Sequence, residues 1–223
     1  MARAVIFNAD DFGAAPGINH GIVHGHTTGV VTSTSLLVEA AAAQEAALLA
    51  RSHPRLAVGL HWNLDATPLD DVAVVRSELE RQLVLFERLL GRSPTHLDSH
   101  HHAHRRPEVE PLACEIAARC GTALRGLSAV HYIGGFYAQW ETGVDDLEHV
   151  GVAALTAILA TELHDDWTEI GCHPGFVDEH LHSSYREPRA AELATLTEPA
   201  IAAAIDELGL RLVSFADVPP PAS

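Results

Sequence analysis

Two adjacent carboxylates near the start of the chain have the type and spacing that hydrolytic chemistry needs. Asp10 and Asp11 follow a short apolar run, and Gly13 and Pro16-Gly17 come soon after them. Neighbouring side chains on a regular strand point to opposite faces, so both carboxylates can serve one site only where the strand ends or bends, as these glycines and the proline predict. One would then bind a metal ion, and the other would accept a proton from water. Taken alone, the pattern is equally typical of an acidic loop that caps the next helix.

A histidine-rich segment in the middle of the chain supplies imidazole ligands for such a centre. The run 96–104 reads His-Leu-Asp-Ser-His-His-His-Ala-His, with five histidines in nine residues. If the run is extended, its even-numbered residues share one face. One or two of these histidines can ligate a metal, and Asp98 can orient a ligand imidazole. The alternative is a solvated loop, because the chain holds 16 histidines, but the interleaved Asp and Ser favour a site.

Other histidines lie apart from this segment. His61 stands on an otherwise apolar strand, where a lone histidine is typical of a packed core, and only the other clusters make it a candidate ligand. His173 follows a predicted strand at a sharp Pro-Gly turn, which suits an exposed acid or base. Cys172 beside it predicts packing, because no motif activates its thiol. His20 and His24 are four residues apart on a predicted helix, and a solvated helix face accounts for them.

The elements that must position these residues alternate between strand-like and helix-like patterns. This alternation predicts an α/β domain with a mostly parallel sheet, in which sites form at the carboxyl ends of strands. The candidate residues follow or approach the ends of four predicted strands, so these ends can converge on one mouth. The predicted strands are 4–9, 30–38, 56–64, 95–99, 169–172 and 210–215, and the predicted helices are 17–27, 40–51, 77–90, 107–120, 145–164 and 200–208.

Length and composition limit the classes of protein and partner. The chain of 223 residues, 47% hydrophobic, predicts a single domain over 1–218 with a loose tail at 219–223. A net charge of −16 disfavours nucleic acid and anionic membranes as partners, while a neutral or cationic substrate would not be repelled. Three cysteines form no disulfide framework, and no apolar run is long enough for a signal peptide or membrane span. We therefore expect a cytoplasmic protein, with an apolar helix face available for pairing in a homodimer.

Several motifs in a fixed order extend the candidate site over nearly the whole chain. They are Asn-Ala-Asp-Asp-Phe-Gly at 8–13, Val-Thr-Ser-Thr at 31–34, Gly-Leu-His at 59–61, the histidine-rich block at 94–104, Cys-His-Pro-Gly at 172–175 and Tyr-Arg-Glu-Pro-Arg at 185–189 with Glu192-Leu193. Together they resemble the YdjC-like family of carbohydrate deacetylases, which includes chitooligosaccharide deacetylases.

The resemblance implies a fold, a reaction and a set of roles. The expected fold is a distorted (β/α) TIM-like barrel related to polysaccharide deacetylases. The expected reaction is removal of acetyl groups from N-acetylated amino sugars or short oligosaccharides. Asp11, His61 and His100 would hold a divalent metal, Asp10 would be the general base, and His173 would be the general acid or would support the tetrahedral intermediate. The resemblance points to Mg²⁺, whereas the histidine ligands suit Zn²⁺.

Further residues are expected to support the metal ligands or contact the substrate. They are Asp98, His102, Trp62, Tyr185 and Arg189. The aromatic residues among them, with Tyr132, Phe136, Tyr137, Trp140 and Phe176, offer flat faces for sugars, although most aromatic residues are simply packed in cores.

The chain departs from the family pattern in two places. The family often has serine where this chain has Ala15, and segment 65–76 is shorter than in many members. Because loops at strand ends shape a sugar pocket, these differences bear on specificity.

Two alternatives remain open. The first is a metal hydrolase acting on a phosphoester or another amide. A phosphate site would require Arg or Lys with a Gly-rich helix start, and the sequence offers Arg105, Arg106 and Arg125 without such a loop. The second is a non-catalytic protein that binds sugar or metal, which would keep the ligands but could dispense with Asp10.

Overall fold

Parallel strands form the centre of the protein in the computed structural model, which describes residues 3–141, 143–181 and 183–220. Seven strands pair in the order β5-β4-β3-β2-β1-β7-β6, and β8 pairs beside β1. This nearly closed row confirms the distorted (β/α) TIM-like barrel. The strands are β1 (Ala4–Phe12), β2 (Ser33–Leu36), β3 (Ala57–Trp62), β4 (His96–Ser99), β5 (Ala123–Leu124), β6 (Val130–Ile133), β7 (Trp167–Cys172) and β8 (Arg211–Leu212).

Amphipathic helices cover the outside of the strands. In α3, Leu79, Leu83, Phe86 and Leu90 are buried, as their helical spacing predicts. Within the described residues, no helix combines the length and apolarity that crossing a bilayer requires. The helices are α1 (Pro16–Thr28), α2 (Ala43–Ser52), α3 (Val72–Leu90), α4 (Glu110–Cys120), α5 (Val152–Thr161), α6 (Glu187–Leu196) and α7 (Pro199–Glu207).

Helix α3 begins and ends where its flanking residues satisfy the free backbone groups. The Asp71 carboxylate accepts hydrogen bonds from the N–H groups of Ala73 and Val74 at the first turn. Gly91 ends the helix in the left-handed region at φ 70°, a conformation that glycine adopts without a side-chain clash. The same device, Gly121 at φ 64°, ends α4.

Four elements differ from the sequence predictions. Strands β5 and β6 were not predicted, since β5 has only two residues and β6 mixes exposed and buried positions. Helix α6 was also missed, because it buries Arg189, Glu192 and Thr195 among its apolar residues and so lacks an apolar stripe. Of the strand predicted at 210–215, only Arg211–Leu212 pairs. In the predicted tail at 219–223, residues 221–223 lie outside the described residues.

Candidate active site

The carboxyl ends of the parallel strands open into a cavity of about 590 Å³. Asp10, Asp11, His61, His100 and His173 all line it, so the strand ends singled out by the sequence do converge on one mouth. Of the residues expected to support the ligands or contact substrate, His102, Tyr185 and Arg189 also line this cavity.

A backbone irregularity directs both adjacent carboxylates into the cavity. The strand does not end at Ala9 as expected; β1 continues to Phe12, and the bend lies inside it. The pairing register with β2 shifts between Ala9 and Phe12, and Asp11 has φ 68°. A positive φ is uncommon for a residue other than glycine, and such conformations cluster at functional sites. The shift breaks the strict alternation of faces, so Asp10 and Asp11 can serve one site.

The predicted metal ligands form a compact group of donor atoms. Asp11 Oδ1 lies 3.6 Å from His61 Nε2 and 3.5 Å from His100 Nδ1. This buried oxygen has no hydrogen-bond partner among the described residues. An unpartnered buried carboxylate oxygen facing two imidazole nitrogens is the arrangement that a divalent cation would complete. Asp11, His61 and His100 therefore fit a metal ion.

Charge around Asp11 keeps it anionic. Burial alone would raise the pKa of Asp11, but the positive charge of Arg189, together with the nearby His100 imidazole, outweighs burial and holds the pKa well below its usual value. The guanidinium of Arg189 donates to Asp11 Oδ2 at 2.6 Å, so only Oδ1 is left free for a cation. Metal ligation requires the deprotonated carboxylate, and this environment supplies it.

Asp98 lies directly against His61 on the neighbouring strand. The two residues share an inward face at adjacent positions of β4 and β3, and Asp98 Oδ1 lies 2.7 Å from His61 Nδ1. Burial would lower the pKa of His61, but the Asp98 carboxylate outweighs it and raises the pKa to about 9. Because Nδ1 is engaged, Nε2 is the nitrogen that faces Asp11 Oδ1, and the neutral imidazole would offer it to a cation in the usual carboxylate–histidine–metal arrangement.

Arg125 stands at the centre of a buried charge network that sequence reasoning missed. Its guanidinium donates to both oxygens of Asp10 at 2.6 Å and to Glu169 Oε1 at 2.7 and 2.9 Å. It also lies 2.8 Å from Asp98 Oδ2. Burial would raise the pKa of Asp10, but Arg125 outweighs burial and keeps the pKa below its usual value. Asp10 is therefore an oriented anion, held by two parallel hydrogen bonds.

His173 lies between the Asp10 network and a second buried acid. Its Nε2 is 3.9 Å from Asp10 Oδ2, and its Nδ1 is 3.9 Å from Glu192 Oε1. Its backbone N–H donates to Glu192, and the Tyr185 hydroxyl donates to Glu192 at 2.5 Å. Burial lowers the pKa of His173 to about 4 and raises the pKa of Glu192 to about 8. Near pH 7 the imidazole is therefore neutral, and burial favours the protonated form of Glu192.

The histidine-rich segment is extended only as far as Ser99. Residues 100–105 form a short 3-10 turn in which His101 and His102 have positive φ. This turn leaves His100 and His102 at the cavity but sends His104 behind it, where the ring contacts Ser99 Oγ at 2.7 Å. The even-numbered residues therefore do not all meet at the site.

Three other histidines lie away from the cavity. His96 is buried below the site, and its ring stacks on Phe215 with centroids 3.8 Å apart. His20 lies 3.4 Å from Glu45 on the outside of α1, and the His24 ring lies 5.6 Å from that of Phe176. His20 and His24 are absent from the described cavity lining, in keeping with a solvated helix face.

The expectation that Trp62 contacts substrate is wrong. Its side chain is 0% exposed, and its indole N–H donates to the Leu79 carbonyl oxygen of α3 at 3.1 Å. Successive residues of a strand point to opposite faces, so His61 faces the barrel interior and Trp62 faces the helices. Trp62 is a core residue.

The two departures from the family pattern have different positions. Ala15 is the N-cap of α1 and lies outside the described cavity lining, so a serine there would cap the helix rather than contact a sugar. Asp65, at the start of the short segment 65–76, lies beside the site, where its Oδ2 is 3.7 Å from His100 Nε2, and it lines a neighbouring cavity.

Comparison with known proteins agrees with this geometry. A family model described as YdjC-like protein matches residues 4–207. The chain is similar to the chitooligosaccharide deacetylase of Salmonella paratyphi B, with 36% identity over 98% of this chain and 100% of the relative. It is also similar to the crystal structure of a proposed cellobiose-phosphate cleavage protein from Enterococcus faecalis V583, with a TM-score of 0.83, 27% identity, and coverage of 98% of this chain and 100% of that one.

The barrel also resembles an enzyme of more distant sequence. A family 4 carbohydrate esterase from Streptomyces lividans, in complex with acetate, matches with a TM-score of 0.61 and 15% identity, over 99% of this chain and 97% of that one. At this identity the similarity concerns the fold alone.

Proposed function

We propose a function for this chain, which belongs to the family of YdjC-like proteins. It is a metal-dependent hydrolase that removes acetyl groups from N-acetylated amino sugars or short oligosaccharides. The observation that carries the proposal is the unpartnered Asp11 oxygen facing His61 and His100, with Asp10 and His173 in the same cavity. Amide hydrolysis needs a polarised carbonyl, a base for water and an acid for the leaving nitrogen, and this set can fill all three roles.

Asp11, His61 and His100 would hold the cation. When bound, a divalent cation supplies Lewis-acid polarisation of the acetyl carbonyl and lowers the pKa of water. Two imidazoles and one carboxylate leave open positions, as catalysis requires, and by ligand type they suit Zn²⁺. The family resemblance points instead to Mg²⁺, and the assay below decides between the two ions.

Asp10 accepts the proton of the attacking water. Arg125 keeps Asp10 anionic and aligned, and it also makes Asp10 a weak base that releases the proton readily. Because His173 is neutral at rest, the proton it delivers to the leaving nitrogen is the one that Asp10 removed. A gap of 3.9 Å separates Asp10 Oδ2 from His173 Nε2, and a small side-chain rotation closes it to hydrogen-bond distance. The amide C–N bond breaks, and acetate and a free amine result.

The test is acetate release from N,N′-diacetylchitobiose by protein that has been stripped of metal and reloaded with Mg²⁺ or Zn²⁺. Metal-dependent acetate supports the reaction class and identifies the active ion. Asp10→Asn should retain the metal and lose turnover, and full activity in this variant would refute the base assignment. Bound metal without acetate under any condition would favour another substrate or a non-catalytic binding protein.

Phosphoester hydrolysis is less well supported by the charges of the site. Arg189 is the one arginine among the described residues that line the cavity, and its guanidinium is already paired with Asp11. A net charge of −16 also repels phosphorylated substrates. Phosphate release from a phosphorylated disaccharide, without acetate from chitobiose, would reverse this preference.

We propose the cytoplasm as the compartment and a small carbohydrate as the partner. The three cysteines, Cys114, Cys120 and Cys172, are all unpaired, which suits a reducing compartment. The acidic net charge supports a neutral or cationic ligand rather than nucleic acid or an anionic membrane. The single domain over 1–218 and the homodimer stay predictions.

A further inference from the structure

Trp140 is an exposed aromatic residue on the wall of the catalytic cavity. Its side chain is 62% exposed, although it lines the same cavity as His173. A large indole surface left in water is unfavourable unless a ligand or partner covers it, and exposed apolar groups at a cleft mark binding surfaces. Neither the proposed metal ligands nor the proton transfers by Asp10 and His173 require Trp140.

A row of aromatic rings connects Trp140 to the reacting centre. The Trp140 ring packs edge-on against Tyr137, with centroids 5.6 Å apart and an interplanar angle of 82°. Tyr137 stacks on Tyr185 at 4.7 Å and 3°, and the centroids of both tyrosines lie 5.6 Å from that of His173. Tyr185 is anchored in turn, because its hydroxyl donates to Glu192 and accepts from the Ala138 N–H at 3.0 Å. The Tyr137 ring therefore connects Trp140 to His173, and Tyr185 holds that ring in place.

Neutral polar groups accompany this aromatic row. Ser184 Oγ donates to Gln139 Oε1 at 3.0 Å, and both residues line the cavity beside Trp140. Gln139 also donates to Asp145 at 2.7 Å, which holds its amide in place. A sugar ring has an apolar C–H face and a polar edge of hydroxyl groups. A flat indole next to an amide and a hydroxyl matches both parts.

We infer that Trp140 is the platform of a second sugar subsite, which binds the ring next to the one that carries the reacting acetamido group. This inference rests on the proposed function and specifies its substrate as a disaccharide or longer oligosaccharide. Continuity with the reacting centre, through Tyr137 and Tyr185, favours a sugar as the occupant. A second copy of the chain seated over Trp140 is the competing occupant, and the test distinguishes them.

Tryptophan fluorescence can report on this subsite without any turnover. The chain has three tryptophans, and Trp62 is fully buried. Trp167 is the first residue of β7, roughly 17 Å from the cavity end of that strand at 3.3 Å per residue, and its ring lies under Arg211. A ligand in the cavity should therefore change the emission of Trp140 alone.

The experiment titrates metal-stripped protein with N,N′-diacetylchitobiose and, separately, with N-acetylglucosamine. We expect the disaccharide to change the emission of the wild-type protein and of Trp167→Phe, the matched control, but not of Trp140→Phe. By calorimetry, Trp140→Ala should raise the Kd of the disaccharide roughly tenfold, equivalent to about 1.4 kcal/mol, and that of the monosaccharide less than about twofold.

Three results would overturn the subsite. They are an emission change that persists in Trp140→Phe, an equal loss of affinity for both sugars in Trp140→Ala, and a dimer that dissociates in Trp140→Ala by light scattering. The last result would place a second copy of the chain on Trp140. Failure of the proposed function has a separate signature, because chitobiose could bind through Trp140 while no metal yields acetate.

Discussion

Replacement of Arg125 by methionine removes the buried cation around which three carboxylates are packed. In the native protein the guanidinium contacts Asp10, Asp98 and Glu169 at distances between 2.6 and 2.9 Å. Methionine keeps an unbranched side chain but removes the charge and all of these hydrogen bonds. The three acids would then face one another in a space that excludes water.

The expected cost follows from this burial and depends on pH. Removing one partner of a buried ion pair costs about 3–5 kcal/mol in the free energy of unfolding, and we expect this loss near pH 7. Burial would raise the pKa values of Asp10 and Asp98, but Arg125 outweighs burial and lowers both. The resulting stabilisation is therefore present above the unfolded-state pKa of about 4 and is lost as the pH falls through the lower folded-state values. In Arg125→Met the carboxylates bind protons more readily, so the difference from the wild type should shrink between pH 7 and pH 5.

Urea unfolding at pH 7 and pH 5, followed by circular dichroism, measures this difference. Arg119→Met is the matched control, because Arg119 pairs with Glu80 at 2.7 and 2.6 Å on the surface, where such a pair contributes at most about 1 kcal/mol. Acetate release should also fall by roughly 100-fold, since Asp10 loses both hydrogen bonds that align it. If Arg125→Met were no less stable than the control, or its deficit did not change with pH, the assigned role of Arg125 would be wrong.

Further predictions concern the metal ligands, a buried histidine and the thiols. Calorimetric titration with Zn²⁺ should show binding to Asp10→Asn but not to Asp11→Asn, and equal affinities would contradict the ligand set. Burial lowers the pKa of His96 to about 3, so its contribution to stability is present above the unfolded-state pKa of about 6.5 and is lost as the pH falls towards 3. Between pH 7 and pH 5 the wild-type protein should therefore lose about 2 kcal/mol in the free energy of unfolding, and His96→Gln should not show this loss. Equal pH dependence of urea unfolding in the two proteins would contradict this role of His96. Cys114 is exposed and should react with a disulfide reagent in the native protein. Cys172 is buried, and burial raises its pKa well above the usual value, so it should react only when the protein unfolds. Rapid modification of both thiols in the native protein would contradict the packing of β7.

The candidate site could be predicted from the sequence wherever its residues lie at strand ends. Asp11, His61, His100 and His173 each follow or approach a strand end, and the structure brings all four to one cavity. Local patterns suffice here, because parallel strands place their carboxyl ends on the same edge of a sheet. The roles of these four residues stay predictions until the metal and acetate measurements are made.

Residues with no local signal could not be predicted. Arg125 follows a strand of only two residues, and nothing near it in the chain marks it as the partner of Asp10, from which it is separated by 115 positions. Glu169 looks like an ordinary acid in the sequence, and Glu192 stood out only as part of a motif, without a role. Trp62 was wrongly expected to support the ligands or contact the substrate, because the opposite facing of neighbouring strand residues was not applied to His61 and Trp62.

The amino-acid sequence by itself determined the α/β class and the order of the chemical groups, because strand alternation and short motifs depend on neighbouring residues, and the barrel was implied by the family resemblance. Tertiary structure alone decided how those groups are charged and held. The bend at Asp11, the anionic state of Asp10 beside Arg125 and the neutral state of His173 depend on burial and on charges from distant segments. Electrostatic interactions act through space, and their strength depends on how much water the fold removes, which no local pattern encodes.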